Sequence, residues 1–200
     1  MLSDDIQSAT YNDNQIRNRV YENEALSKTS FYNIEFDNIR FVRCKLTGCD
    51  FLKSSFYNTS FSRCDLSNCN YTDSYWKNDI LTNCKCDGSL FCGSVFKEVR
   101  LSSDSFRFSN FIKSIWAKCE IKGCVFSEAC MSEISFKNLI LSENNFSGAD
   151  FFKTMLAGLD FSDSRIDGIT VSEGFKELKG IKINSAQSVD IAKLMGAEII

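Results

Sequence analysis

The chain has 200 residues, a formal net charge of −3, and neither His nor Pro. The lack of His removes the commonest general base and metal ligand, so we expect no enzymatic activity, cofactor or metal. The mild acidity and scattered Lys and Arg argue against direct nucleic-acid binding. No signal-peptide pattern or apolar run near eighteen residues is found, so we expect no membrane span and a cytoplasmic protein.

Residues 1–25 are predicted to form an N-terminal cap. Ile6, Tyr11, Ile16 and Tyr21 keep a spacing of five residues, but their surroundings are polar and lack small neighbours. A cap of this kind would cover the open end of the repeat that follows.

Residues 26–171 form an uninterrupted repeat with a period of five. Every fifth residue from Leu26 to Val171 is apolar or aromatic. These thirty positions hold fifteen of the eighteen Phe. Neither a helix nor a strand produces this period, so the chain is predicted to be a repeat protein.

A second side chain, in most units a small one, lies two residues before the large one. Seven of the ten Cys occupy this position, and their spacing is not that of a zinc site, so we interpret them as compact core residues in a reducing compartment. Asp79 and Asp104 also fall there, where we expect a local bulge or a hydrogen bond to a backbone amide rather than catalysis.

These units resemble the pentapeptide-repeat family, whose pattern is A(D/N)LXX. Ser-Gly-Ala-Asp-Phe at 147–151 contains the core of that pattern, and Cys49-Asp50-Phe51 and Cys64-Asp65-Leu66 match it with Cys in place of Ala. The resemblance implies an all-β solenoid, a right-handed quadrilateral β-helix with four pentapeptides per coil. Folding the sequence at twenty residues then gives four columns of large side chains.

Residues 172–200 are predicted to form a connection, a short C-terminal α-helix and a tail. Asn184 and Gln187 are spaced like a capping box, and Gly196 marks the end of the helix. The segment is expected to cap the last coil or to pair two subunits, through an apolar set comprising Val189, Ala192, Leu194, Met195, Ile199 and Ile200.

Gly180-Ile181-Lys182-Ile183-Asn184 and the closing Ile199-Ile200 look like the C-terminal segment of Qnr-type proteins. That resemblance implies a dimer through the C-terminal end and binding to DNA gyrase or topoisomerase IV, with protection from a poison by mimicry of DNA. The unbroken repeats leave no room for the loops of many such proteins. The identity of the poison therefore remains open: it is either a fluoroquinolone or a toxin that is a peptide or another natural product.

Two sets of outward residues are candidate partner surfaces. The acidic set lies in the C-terminal half, whereas the earlier coils are more basic; it comprises Glu128, Glu133, Glu143, Asp150, Asp160, Asp163 and Asp167. The alternative is that these are ordinary solvated charges. The second set is an apolar seam at one corner of the solenoid: Tyr32, Leu52, Cys92, Ile112 and Phe152, with Tyr75, Val95, Ile115 and Met155 beside them. These nine side chains either contact a partner or cover one another.

Two functions are thus carried forward from the sequence. The first is a non-enzymatic protein that binds a topoisomerase and confers resistance or self-immunity. The second is a structural or scaffolding repeat module with no topoisomerase role.

Overall fold

The computed structural model describes residues 1–200 as a parallel β-solenoid that has one α-helix near each end. Its elements are α1 (Leu2–Tyr11), β1 (Gln15–Glu22), β2 (Ala25–Ser27), β3 (Glu35–Val42), β4 (Lys45–Thr47), β5 (Ser55–Tyr57), β6 (Ser60–Ser62), β7 (Tyr75–Lys77), β8 (Ile80–Thr82), β9 (Val95–Lys97), β10 (Arg100–Ser102), β11 (Ile115–Ala117), β12 (Glu120–Lys122), β13 (Ser135–Lys137), β14 (Ile140–Ser142), a 3-10 helix (Lys176–Leu178) and α2 (Gln187–Leu194). No helix is long and apolar enough to cross a membrane.

Every strand pairs with the strand twenty residues away, which confirms the predicted coil length. Phe56 pairs with Trp76 in one ladder, and Phe61 pairs with Leu81 in the next. Two further ladders consist mostly of isolated bridges, for example Lys45 to Asp65 and Asp50 to Asn70. Four ladders in each twenty-residue coil give the solenoid a four-sided section. We number its faces by one coil: face 1 at Leu46, face 2 at Phe51, face 3 at Phe56 and face 4 at Phe61.

The large residues stack in the interior of the solenoid. The rings of Phe31 and Phe51 are 4.3 Å apart with an interplanar angle of 5°, and the ring of Tyr71 continues the column 4.8 Å further on. Stacked aromatic rings bury a large area in each coil, which is the main force holding neighbouring coils together. Most of the thirty predicted positions are buried; Leu26, Phe136, Leu141 and Val171 are only partly so.

Strand pairing on faces 3 and 4 ends at β13 and β14. Here the inward position two residues before the core residue carries Leu139 and Leu159. The earlier coils have buried residues at the same place: Ile39, Thr59, Asp79, Val99 and Cys119. Both leucines are only partly buried, and so are the neighbouring Phe136 and Leu141.

The corners depend on backbone in the left-handed region. From Leu26 to Leu156, the residue two positions after each large one has a positive φ, for instance Asn58 at 52°, Asn78 at 59° and Gly88 at 69°. Asn and Gly are the residues that adopt this conformation most readily, and they are frequent at this position. Asn side chains also bond between coils, since the Asn78 amide donates to Asn58 at 2.7 Å.

The small inward side chains contribute hydrogen bonds as well as volume. Ser54 Oγ donates to the carbonyl of Phe31 at 2.5 Å, and Ser94 Oγ donates to that of Tyr71 at 2.6 Å. Cys44 and Cys64 make the same contact through sulfur, at 3.3 and 3.5 Å. In each case the donor reaches the carbonyl 23 residues earlier. The carbonyls of Phe31 and Tyr71 also accept the amides of Ile34 and Ser74, so the hydroxyl supplies a second hydrogen bond to a buried acceptor.

The N-terminal segment combines a helix with the start of the ladder. Helix α1 buries Leu2, Ile6 and Ala9, whereas Tyr11 is 81% exposed at its end. Strand β1 pairs with β3 and so belongs to the first coil. The hydroxyl of Tyr21 donates to Asp5 at 2.6 Å and joins the helix to that coil.

The C-terminal segment closes the other end of the solenoid. Asn184 N donates to Gln187 Oε1 at 2.8 Å and Gln187 N donates to Asn184 Oδ1 at 3.0 Å, which confirms the predicted capping box. The Gln187 amide also reaches the carbonyl of Phe161 at 2.8 Å, and Ile191 and Leu194 pack against the core. Helix α2 is thereby fixed to the last coil.

Candidate partner surfaces

The interior polar groups serve the fold rather than a reaction. Asp79 Oδ1 accepts from the amide of Thr59 at 2.6 Å, and Asp104 accepts from the amides of Cys84 at 2.7 Å and Ser102 at 3.0 Å. This confirms the predicted bond to a corner amide. Burial raises the pKa of Asp79 to about 8 and that of Asp104 to about 7. Both groups are fully covered, so neither reaches a substrate.

The cysteines are all free thiols, and eight of the ten are buried. Cys92 and Cys130 are the two with partial exposure, and each sits on face 2. No group of three or more His, Cys, Asp or Glu side chains is arranged to hold a metal ion. The candidate functional residues of this chain therefore lie on its outer surface.

The acidic set is distributed around the solenoid. Glu128, Glu133, Glu143 and Asp163 stand exposed at corners, and of these Glu143 and Asp163 share one corner a single coil apart. Asp160 is exposed on face 4, where hydrogen bonds from Ser162 hold its pKa below the ordinary value.

Asp150 and Asp167, the other two members, are partly buried and engaged within the chain. Asp150 accepts from the hydroxyls of Ser132 at 2.6 Å and Thr170 at 3.0 Å. Asp167 accepts from Ser147 at 2.8 Å, which lowers its pKa, and it pairs with Arg165 at 3.3 Å. Glu143 and Asp163 thus remain as an exposed acidic pair, in which Asp163 also accepts from the hydroxyls of Ser142 and Ser164, both at 3.1 Å.

The apolar seam lies along the corner between faces 2 and 3. Tyr75, Val95 and Ile115 are consecutive partners on β7, β9 and β11, so the structure places them in one line. Ile115 is 45% exposed and Tyr32 is 51% exposed, while the neighbouring Leu52 and Ile112 are half-buried, as are Tyr75 and Val95.

Phe152 and Met155 end the seam and are 40% and 54% exposed. The ammonium group of Lys153 lies 4.9 Å from the centre of the Phe152 ring. The seam therefore combines partly covered members with an exposed edge at each end.

The C-terminal apolar set is divided by the packing of α2. Leu194 packs against the core and Ala192 is half-buried. Val189, Met195 and Ile199 are 38%, 59% and 50% exposed, and Ile200 is fully exposed at the end of the chain. Four of the six side chains therefore remain available to a partner.

Two exposed isoleucines on face 4 were missed at the sequence level. Ile80 on β8 is 40% exposed and Ile140 on β14 is 64% exposed. Between them stand Arg100 and Glu120, whose side chains are 3.9 Å apart. Each isoleucine immediately precedes a core residue, a position that is otherwise polar on this face from Arg40 to Asp160, and that departure was the available signal.

Phe108 is a second missed feature. It occupies a corner residue with φ of 56° and is 67% exposed. A bulky side chain in the left-handed region is uncommon, and here the strain is not offset by burial.

Comparison with known proteins identifies the repeat. The family model described as "Pentapeptide repeats" matches eight copies within residues 34–70 and 129–168. No curated protein matches the chain.

Among solved structures, a trypsin-treated variant of QnrB1, described as a plasmid-mediated fluoroquinolone resistance protein, aligns with a TM-score of 0.56 and 15% identity over 90% of this chain and all of that one. HetL, a pentapeptide repeat protein involved in heterocyst differentiation regulation from the cyanobacterium Nostoc, aligns with a TM-score of 0.32 and 9% identity over 88% of this chain and 94% of its own. At such identities the QnrB1 likeness supports the fold alone.

Proposed function

Because this chain belongs to the pentapeptide-repeat family, we propose that it is a non-enzymatic, cytoplasmic protein that binds DNA gyrase or topoisomerase IV and protects it from a poison. The observation that carries the proposal is the continuous solenoid: stacked coils closed by α1 and α2, with aromatic side chains filling the interior. A filled solenoid acts through its outer surface, which is what a binding protein needs. The alignment with QnrB1 over 90% of this chain supports the fold on which the proposal rests.

The surface offers two kinds of contact for such a partner. Glu143 and Asp163 supply stacked carboxylates at one corner, as a surface that imitates the DNA backbone requires. The apolar seam, on a different corner, supplies the desolvated area on which binding energy usually depends. In this proposal the charges guide the encounter and the seam holds the complex.

The exposed apolar residues on α2 and after it support a dimer in the same proposal. Val189, Met195, Ile199 and Ile200 present apolar side chains to solvent at the end of the rod. Joining two rods end to end would double the length of surface available to a topoisomerase.

A supercoiling assay tests the function. Gyrase is incubated with relaxed plasmid, with this protein, and with poisons of separate classes: a fluoroquinolone, a peptide toxin and a small natural product. We expect supercoiling to be restored with at least one class at a protein concentration that leaves poison-free gyrase active. Restoration with none of the three would overturn the proposal.

The second candidate function is a scaffolding module without a topoisomerase role. HetL, named for a part in the regulation of differentiation, shows that proteins with this repeat are described in other settings. In the same assay the scaffolding function predicts no effect of the protein on gyrase, with or without poison. A pull-down with purified gyrase and topoisomerase IV separates weak binding from none.

A further inference from the structure

Face 4 has an outer surface that is complementary to itself in one antiparallel register. One row of this face, made by the residues that precede each core position, runs Val20, Arg40, Ser60, Ile80, Arg100, Glu120, Ile140 and Asp160, after which Lys182 continues the ladder. Reversing the row about its centre sets Arg100 against Glu120 and Ile80 against Ile140, whereas at the two ends Arg40 meets Lys182. Such a pattern is what a two-fold symmetric interface requires, because the same patch must match its own copy.

We propose that face 4 is the interface of an antiparallel homodimer whose two-fold axis passes between Arg100 and Glu120. In this arrangement Arg100 of each copy meets Glu120 of the other. The two residues already lie 3.9 Å apart within one chain, so the dimer would bring four alternating charges together at its centre. The proposal does not rest on the topoisomerase function, although the dimer would engage Asp163, one of the two carboxylates assigned above to that partner.

The rows on either side follow the same register. Towards face 3, Glu98 of one copy meets Lys118 of the other; these residues are 3.2 Å apart within the chain. On the corner towards face 1, Arg63 meets Asp163 of the second copy. Neither Arg63 nor Asp163 has an ion-pair partner in its own chain, although both are exposed.

The isoleucines give the interface its apolar part. Ile80 and Ile140 lie one coil beyond the central charges on each side, and the register places Ile80 of one copy on Ile140 of the other. They are 40% and 64% exposed in the single chain, so pairing would remove both from water. The dimer thus contains two apolar contacts symmetrically placed about the axis.

Other registers and orientations bring like charges together. A shift of one coil in either direction places Arg100 or Glu120 opposite its own copy, and Glu98 or Lys118 likewise. It also sets Ile80 against Glu120 or Asp160, so both apolar contacts are lost, although one of these shifts pairs Arg40 with Asp160. A parallel arrangement sets Arg100 and Glu120 of the central row against their own copies. Like charges at the centre together with the loss of the apolar contacts disfavour these alternatives.

The seam offers no comparable self-match, which is why a second copy is assigned to face 4 and not to it. Tyr32, Leu52, Ile115 and Phe152 are apolar throughout and define no register or orientation. Charge order, in contrast, fixes both on face 4.

Sedimentation equilibrium of the full-length protein over a range of concentrations tests the proposal. The test uses an Ile200→Asp background, which removes the C-terminal contact proposed above. In that background we expect a monomer–dimer equilibrium that Ile140→Lys weakens by roughly tenfold or more, because the lysine meets Ile80 twice in each dimer. Ile80→Asp alone should weaken it similarly. The double variant Ile80→Asp/Ile140→Lys should restore association, since each apolar contact is replaced by an ion pair, and added salt should then weaken it again.

Ile115→Lys, at the equivalent strand position on face 3, is the matched control and should leave the equilibrium unchanged; the melting temperature of each variant verifies folding. Ile200→Asp separates this contact from one made by the C-terminal end. A wild-type protein that is monomeric throughout, a dimer unaffected by Ile140→Lys, or a folded double variant that does not associate would each overturn the proposal. Loss of all association in Ile200→Asp would do the same.

Discussion

Replacement of Asp79 by Asn should stabilise the protein at neutral pH. The carboxyl group is completely buried; Oδ1 accepts from the amide of Thr59, and Oδ2 has no partner. Asn144 occupies the equivalent place two residues before a core position. Its Oδ1 accepts from the amide of Cys124 at 2.9 Å and its Nδ2 donates to the carbonyl of Ile121 at 2.9 Å. An Asn at 79 would have the carbonyl 23 residues earlier, that of Phe56, as the corresponding acceptor.

The size of this gain in stability follows from the proton that the buried carboxyl group takes up on folding. Burial raises the pKa of Asp79 from 3.8 to about 8, so at pH 7 the folded protein binds a proton that the unfolded chain does not. At about 1.4 kcal/mol per pH unit, protonation between pH 3.8 and pH 7 costs about 4 kcal/mol of stability. Asn avoids this cost, and allowing for relaxation around the buried group we expect a gain of about 2–4 kcal/mol, or roughly 5–15 °C.

The direction of the Asp79 pKa shift determines how stability depends on pH. Since the folded pKa is the higher one, the wild-type protein is most stable below about pH 4 with respect to this group, and it loses stability as the pH rises towards about 8. The advantage of Asp79→Asn should therefore be largest at pH 8 and vanish near pH 4.

Thermal unfolding followed by circular dichroism at pH 4, 6 and 8 measures the effect. Asp104→Asn is the informative comparison, because both oxygens of Asp104 already accept amide hydrogens and an amide nitrogen would face the donor of Ser102. Its gain should be smaller. Exposed Asp13→Asn should change stability by less than about 0.5 kcal/mol. An Asp79→Asn protein no more stable than wild type at pH 8 would refute the reasoning.

Two further predictions concern the surface. Phe108→Asn should stabilise the protein by roughly 1 kcal/mol, since Asn relieves the left-handed strain and little packing is lost; an unchanged or lower melting temperature would mean that the ring is supported by contacts. Ile112→Lys with Ile115→Lys should abolish protection of gyrase in the supercoiling assay at an unchanged melting temperature. Loss of stability in that variant would instead indicate that the seam residues cover one another.

The coil was predictable because one constraint repeats thirty times. A period of five residues is incompatible with an ordinary helix or strand, and it fixes which side chains enter the core before any contact is known. The pairing of Phe56 with Trp76 follows from that count. The cap formed by Asn184 and Gln187 was predictable for a local reason, since both partners lie within one helical turn.

The N-terminal helix was missed because two periods coexist in the same residues. Ile6, Tyr11 and Ile16 continue the spacing of five, whereas Leu2, Ile6 and Ala9 have the spacing of a helix face. The structure follows the helical set and leaves Tyr11 in solvent. The hydrogen bonds of the small residues were missed for a different reason: a donor and its acceptor 23 residues earlier become neighbours only once the coils are stacked.

The four-sided section makes the proposed surfaces separable. The seam lies at the corner between faces 2 and 3, whereas the self-complementary rows centre on face 4. Two copies joined through face 4 would therefore leave both seams open, facing outward on the flanks of the dimer. The two surfaces also differ in charge. Face 4 carries opposite charges at its centre, which would set the register of a second copy. The seam, which is proposed to bind a different protein, is largely apolar. A substitution such as Ile140→Lys should act on self-association and one such as Ile115→Lys on partner binding, because no residue of one surface belongs to the other.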